Sequence, residues 1–357
     1  MSLFESPDDA RDAQRELFDE TIERATEIER FKAGLILALL RSWRPAERAI
    51  VTRTRDRFEV IRNRGTLALA QQNVQGLLAR QRDIIDQAAG SLQSQVRSDL
   101  LEFVSLQDEW QRATFSGVLP SLNLGPELPA SLRREIVNAR PFEGRNLADW
   151  FRGFREATKR VVNQQTVLAF QAGETAPQVV QRLSRQRGEA GALHRSRTEI
   201  ETLAQTAVQQ IANEVQAENL RKLRGLFTHE VWVATLDSNV CITCASLDGK
   251  RFPVDEGPQW PIHPRCRCRR VPEVPGAGSG RRASSEGQIP GDVKLSDWLL
   301  TQSPERQNRI LGRTRADLFR AGRLPDLDPM TLLDPQFRPI RLDELNRRLR
   351  RVNPNNN

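Results

Sequence analysis

The chain has 357 residues, with 54 Lys and Arg against 46 Asp and Glu, a formal net charge of +8, and 38% hydrophobic residues. That length admits two or three domains, and low apolar with high charged content suits long exposed helices better than one bulky globule. No apolar run reaches the roughly 18 residues a membrane-spanning helix requires, Ala33–Leu40 coming closest, and Met1–Glu16 is too polar for a secretory leader. The positive excess is compatible with a nucleic-acid partner without requiring one, because most charges read as solvated helix faces and i to i+4 pairs.

In the first third, Phe18, Ile22, Ala25, Ile28, Phe31, Leu35 and Leu39 fall near helical spacing and predict one apolar stripe. Arg44-Pro45 is expected to interrupt it, with Pro45 in the first turn of a second helix that runs to about Gly65. A further stripe from Leu67 to Trp110 completes a set of long antiparallel helices, unlike a compact enzyme core. Gly117–Pro129 reads as a turn-rich connector, and Phe142-Glu143-Gly144 as a turn.

Asn146 can then cap a helix with Asp149 at its third position, ending near Gly173. Thr175 and Gln178 form the pattern of a capping box for a short helix, and Arg182–Gly188 reads as a basic loop. From Thr198 an amphipathic helix leads into a strand over Val231–Leu236, where Trp232 is expected to pack against that helix.

All four cysteines lie just beyond, in the pattern C-x2-C-x18-H-x2-C-x-C formed by Cys241, Cys244, His263, Cys266 and Cys268. Thiolates two residues apart on a tight turn converge on one point, and a distant pair completes a tetrahedron around a soft divalent ion. With no secretory pattern ahead of them, clustered cysteines point to metal rather than disulfides, and zinc is the expected ion. Cys241, Cys244 and Cys266 are the first choices as ligands, with Cys268 and His263 competing for the fourth place.

The same residues carry a resemblance. Trp232, Ala234, Thr235, Asp237, Cys241, Cys244, Leu247-Asp248-Gly249, His263-Pro264 and Cys266-Arg267-Cys268 resemble the signature of the phage Mu F-like family. These are the minor head, or head morphogenesis, proteins of tailed phages, and Arg197-Thr198-Glu199 is similar to the family's upstream helical motif. The likeness covers roughly Leu193–Pro272. It implies a few copies in the virion, inside the capsid, after assembly in the host cytoplasm. The implied partners are a portal protein, a major capsid or scaffolding protein and phage double-stranded DNA, with no membrane. Arg265, Arg267, Arg269 and Arg270 are the candidate contacts to DNA phosphates, without sequence reading. Surface salt bridges are the equally weighted alternative for these four.

Enzymatic readings fit less well. His229-Glu230 begins a zinc-protease pattern, but Val233 stands where the second histidine belongs. A deaminase pattern is absent around Cys241. With only His194, His229 and His263 in the chain, a metal-dependent nuclease or toxin-like site on the cysteine module is the alternative to a non-enzymatic protein.

The expected fold is mainly α. Residues 1–116 form a long-helix region, 130–190 a helical middle section, and 191–275 a small α+β zinc-binding module. Residues 276–291, rich in Gly, Ser and Arg, read as a flexible linker, and 292–357 as a short helical tail with a frayed basic end at Arg347, Arg348, Arg350 and Arg351.

Overall fold

The computed structural model describes residues 4, 6–63, 67–119, 124–139, 145–184, 191–223, 226–274, 281–285, 287–290, 293–324 and 327–352. It is 72% helical, with 12 helices among the described residues and a small sheet, as the mainly α reading expects. Two compact units emerge, one from residues 29–106 and 128–212, the other from 1–28, 107–127 and 213–357.

The first of these units is helical. It draws on α1 (Pro7–Asn63), α2 (Leu67–Val118), α3 (Ala130–Asn138), α4 (Leu147–Gln171), α5 (Ala176–Ser184) and α6 (Ala192–Lys222). Phe31 stacks on Phe103 with centroids 4.6 Å apart, and Trp43 meets the edge of Phe154 at 5.2 Å. Several buried polar groups are matched. Trp43 Nε1 donates to Ser196 Oγ at 3.0 Å, and Gln81 Nε2 donates to Thr54 Oγ1 at 2.8 Å and Thr166 Oγ1 at 3.1 Å. Such pairing avoids the roughly 1–3 kcal/mol cost of an orphaned buried polar group.

Three local expectations need correction in this unit. Pro45 does not divide the first stripe, for it lies inside α1. An interior proline costs about 3 kcal/mol, and here burial of Leu39, Trp43, Ala46 and Ile50 on either side offsets it. The α6 helix begins at Ala192, earlier than Thr198. Arg182 belongs to the last turn of α5, not to a loop, and its Nε donates to Glu174 at 3.1 Å. Residues 185–188 of that expected loop, and the expected turn at 142–144, lie outside the described residues. The expected cap at Asn146 is present in full, with Asp149 N donating to Asn146 Oδ1 at 3.0 Å and the reciprocal bond closing a capping box.

The second unit is built on a three-stranded antiparallel sheet of order β2-β1-β3, from β1 (His229–Val233), β2 (Arg251–Pro253) and β3 (Arg269–Pro272). In register, Val231 opposes Arg251 on one side and Val271 on the other. One face, carrying Val231, Val233 and Val271, packs on Phe18 and Ile22 of α1. On the other, Trp232 enters a core with Leu236, Leu247, Cys244, Cys266 and Trp298. Alternation along a strand sends neighbours to opposite faces, and here both faces are covered. The strand is also shorter than expected, with Leu236 joined only by an isolated bridge to Ser284.

Beyond the sheet come α7 (Ile242–Leu247), then β4 (Arg281–Ser284) and β5 (Gly287–Pro290), which pair as an antiparallel hairpin within the stretch read as linker. The chain continues through α8 (Leu295–Leu300), α9 (Pro304–Leu311), α10 (Arg313–Arg320), α11 (Pro329–Leu332) and α12 (Leu342–Val352). These helices share one core with the cysteine segment: Trp298, Leu299, Phe319, Leu345 and Leu349 are all buried in it. The basic end is therefore helical through Val352, because Leu345 and Leu349 lie four apart on one face and find a core to fill.

Asp248 ties that core together at the turn Leu247-Asp248-Gly249, where Gly249 takes φ +73°. One carboxylate oxygen accepts from Ala234 N after β1, the other from Leu295 N at the start of α8, each at 3.0 Å. Replacing Asp248 by Ala is expected to destabilise this unit by about 2–4 kcal/mol, since two buried amides lose a charged acceptor. Asp248→Asn, which keeps one oxygen acceptor, should recover part of the loss. Denaturant midpoints of the wild type and both variants check this; equal midpoints for wild type and Asp248→Ala would refute the bridging role.

Candidate metal centre

The C-x2-C half of the cluster is placed by α7. Cys241 caps that helix, its Sγ accepting from Cys244 N at 3.4 Å, so both sulfurs sit at the first turn. A thiolate there is favoured by the unpaired amides of the helix end. The second half arrives on the turn His263-Pro264-Arg265-Cys266. Arg265 adopts φ +62°, and Cys266 N donates to His263 O at 3.2 Å, which folds the imidazole back beside the sulfurs.

The resulting distances are those of a coordination shell. His263 Nε2 lies 3.2 Å from Cys241 Sγ and 3.4 Å from Cys244 Sγ, and Cys244 Sγ lies 3.8 Å from Cys266 Sγ. An ion with bonds of about 2.3 Å to sulfur and about 2.0 Å to nitrogen gives tetrahedral edges of roughly 3.8 Å between sulfurs and roughly 3.5 Å from sulfur to nitrogen. All five expected residues come together, in two overlapping groups, Cys241, Cys244 and His263, and Cys244, Cys266 and Cys268. Cys244 belongs to both. The four cysteines are free thiols rather than disulfides.

The ring of His263 is held for this task. Its Nδ1 lies 2.7 Å from the Pro264 carbonyl, a bond that puts the proton on Nδ1 and leaves Nε2 facing the sulfurs. Metal-binding histidines are commonly oriented by such a partner on the far nitrogen. Trp260 supports the other side, its Nε1 donating to Cys268 O at 2.8 Å.

The cluster shares its protons unequally: hydrogen bonds to Cys241, Cys266 and Cys268 hold Cys244 well above the ordinary thiol range, and for Cys268 an opposing bond to Cys244 is outweighed by Cys266 and by burial, which raise it. Hydrogen bonding from Cys244, reinforced by His263, lowers Cys241 to about 4 against the opposing effect of burial. Hydrogen bonding from Cys244 and Cys268 likewise holds Cys266 well below the ordinary thiol range. Burial pulls His263 down, but the hydrogen bond to Cys241 and the charges of Cys241 and Cys266 outweigh it and raise the imidazole to about 9. Thiolates packed this closely gain by exchanging protons for a divalent ion.

Other residues singled out in the sequence acquire definite roles. Asp237 forms a two-pronged ion pair with Arg267, Nη2 to Oδ1 at 2.7 Å, and Thr235 Oγ1 donates to Arg267 O at 3.3 Å. These contacts fasten the segment after β1 to the chain between the last two cysteines. Among the described residues of the helical unit, Arg197 pairs with the buried Glu47, Nε to Oε1 at 2.8 Å and Nη2 to Oε2 at 2.5 Å. Sequence inspection flagged Arg197 without a partner, because Glu47 lies 150 residues away.

The four arginines proposed for DNA are not equivalent. Arg265 is exposed, and Arg267 is half-buried against Asp237. Arg269 is buried, with its guanidinium 5.9 Å from the centre of the Trp260 ring. Arg270 is buried and paired with Glu230 at 3.0 Å. Arg269 and Arg270 are thus interior side chains, a placement that neither the phosphate contact nor the surface salt bridge expected.

Residues 160–271, from α4 through β3, match the family model described as Phage Mu protein F like protein. This segment is Mu F-like. The match encloses all five metal-binding candidates with their turn and reaches back to the Arg197 motif; it supports a phage Mu F-like head morphogenesis protein. No curated protein and no solved structure matches the chain.

Because Cys244 is shared by both donor groups, Cys244→Ala is expected to abolish metal binding, whereas loss of Cys268 alone leaves Cys241, Cys244, His263 and Cys266. Elemental analysis of the purified chain and variants should find about one transition-metal ion per wild-type chain and none per Cys244→Ala chain. A wild-type chain without stoichiometric metal would remove the centre altogether.

Proposed function

We propose that the chain is a minor head protein of a tailed phage that joins the portal inside the capsid and serves head assembly, DNA packaging or DNA delivery. The observation that carries this reading is the Mu F-like match over residues 160–271, coinciding with the convergent cysteines and histidine. In this reading the long N-terminal helices dock on the portal protein, or on the major capsid or scaffolding protein. Long helices with wide polar faces suit such lateral packing better than they suit a substrate cleft.

The cluster's role is then structural, with zinc as the ion. Sulfur-rich sets with four protein donors close the shell of zinc and leave no position for a reacting water, whereas catalytic sites keep one open. Residues Cys241, Cys244, His263 and Cys266 fit a tetrahedral set by their separations, with Cys268 in reserve. Bound there, zinc would contribute the cross-link between α7 and the following turn. The protein side chains orient it: Pro264 O fixes the imidazole, and the amide of Cys244 steadies the Cys241 sulfur.

DNA contact in this reading is non-specific and centres on exposed Arg265, with partial help from Arg267. Contacts to phosphate carry no base information and weaken steeply with salt. Arg265→Glu should therefore lower affinity for duplex DNA at low ionic strength by about tenfold or less and flatten the salt slope by about one, while Arg270→Ala should act through folding instead. Fluorescence anisotropy across a salt series measures both. No detectable binding by the wild type at the lowest salt would dispose of the DNA role. The location itself is tested by imaging intact particles with this chain labelled, where density at the portal vertex inside the head is expected and an outer-surface position would refute the assignment.

A further inference from the structure

A second site lies on the face of the sheet that carries Trp232, within the same compact unit. The C-terminal part of α6, the floor formed by Glu230 and Arg270, and the loop of residues 254–260 enclose a cavity of about 190 Å³. For comparison, an apolar cavity of about 150 Å³ admits a benzene ring. We propose that this cavity is a binding site for an organic cation, an ammonium or guanidinium group carried with a nearby carbonyl acceptor.

Charge is the first argument. The lining holds four carboxylates, Glu214, Glu230, Asp255 and Glu256, against two guanidiniums, Arg221 and Arg270. This is a local reversal of sign in a chain of net charge +8. Concave sites lined by one sign focus the field and concentrate the opposite ion. Phosphate-bearing ligands are disfavoured by the same sign. A chelated metal is disfavoured by spacing, because among the described residues the groups of three or more converging ligand atoms are those of the cysteine cluster.

Unfilled hydrogen-bonding capacity on the floor is the second. Glu230 is buried and held by Gln216 Nε2 at 2.8 Å and by Arg270 at 3.0 Å. Burial pushes its carboxyl upward despite the pull of Arg270 and Gln216. Arg270, only 8% exposed, spends Nη2 on Glu256 O at 2.8 Å and Pro253 O at 3.3 Å, yet its Nε has no hydrogen-bond partner among the described residues. A buried donor beside a buried acceptor suits a guest that offers both, as the side chain and peptide carbonyl of arginine or lysine do.

The loop is held in shape ahead of any ligand. Asp255 adopts φ +70° and Gly257 φ +87°, and a Cβ at Gly257 would come within 2.5 Å of the Phe252 ring. Glycine takes such a conformation without steric cost, whereas for Asp255 it costs of order 1–3 kcal/mol. The Arg270 bonds to Pro253 O and Glu256 O fix this loop to the sheet, so binding would sacrifice little loop entropy.

This inference does not rest on the head-protein reading. The test titrates the full, metal-loaded chain in low-salt buffer by calorimetry with the amides of N-acetyl-arginine, N-acetyl-lysine and N-acetyl-glutamine. One saturable site is expected for the two cations, with the neutral glutamine compound at least about tenfold weaker. The rim variant Asp255→Asn with Glu256→Gln, both exposed positions, should bind the cations at least about fivefold more weakly with unchanged metal content and helical signal. A short neutral peptide bearing one central arginine separates the two sources of the cation: tighter binding than the capped residue assigns a polypeptide side chain, equal binding a free small cation. The absence of saturation with either cation, equal affinity for the glutamine compound, or undiminished affinity in the rim variant would each overturn the proposal.

Discussion

Five soft donors brought within reach of one another, though up to 27 positions separate them in the chain, set the terms for the sheet-bearing unit. Closing the loop from Cys241 to Cys268 costs chain entropy that grows only slowly with length, but the gain from an ion there is many times larger. The sheet it closes has strands of five, three and four residues. Strands so short bury too little apolar area to hold their pairing alone.

Around that point the chain uses carboxylates to hold backbone. Asp248 receives an amide from each of two separate segments, and Asp237 holds Arg267 while also accepting from Asn239 N at 2.8 Å. Each places a charge where a buried amide or guanidinium would otherwise go unmatched. The effect is to join the end of β1, the cysteine turn and α8 into one core, which explains why Trp298, Leu345 and Leu349 pack with Cys244 and Cys266. The C-terminal helices thus share the interior of the cysteine segment rather than forming an appendage to it.

What could be read in the sequence was local or chemical. The Asn146–Asp149 capping box depends on residues three apart, and the cysteine spacing depends on the ligand preferences of a metal; both stand in the structure as written in the chain. The features missed were decided by distant packing. Pro45 signals a break only if its neighbours are free to leave the helix, and Trp43 and Ile50 are not. The basic C-terminal end resembles a solvated tail until Leu345 and Leu349 are seen to have a core to enter. Clustered arginines looked like a surface patch, because a sequence shows the charge of Arg269 and Arg270 but not Glu230 or the Trp260 ring that receive them.

That last point bears on how a basic chain engages its surroundings. Arginine is plentiful here, but much of it is matched internally: Arg197 by Glu47, Arg267 by Asp237, Arg270 by Glu230, and in α12 Arg347 and Arg348 by Glu344. Matched guanidiniums contribute little field beyond a Debye length of about 10 Å at 0.1 M salt, so the excess of eight positive charges cannot be assigned to one DNA-facing stripe. On the proposed reading, attraction for phosphate would come from exposed side chains such as Arg265 and would be weak and salt-sensitive. The acidic cavity beside Glu230 lies in the same compact unit with the opposite sign. Anionic and cationic partners would therefore be drawn to different surfaces of that unit, and a protein that handles both need not make them compete.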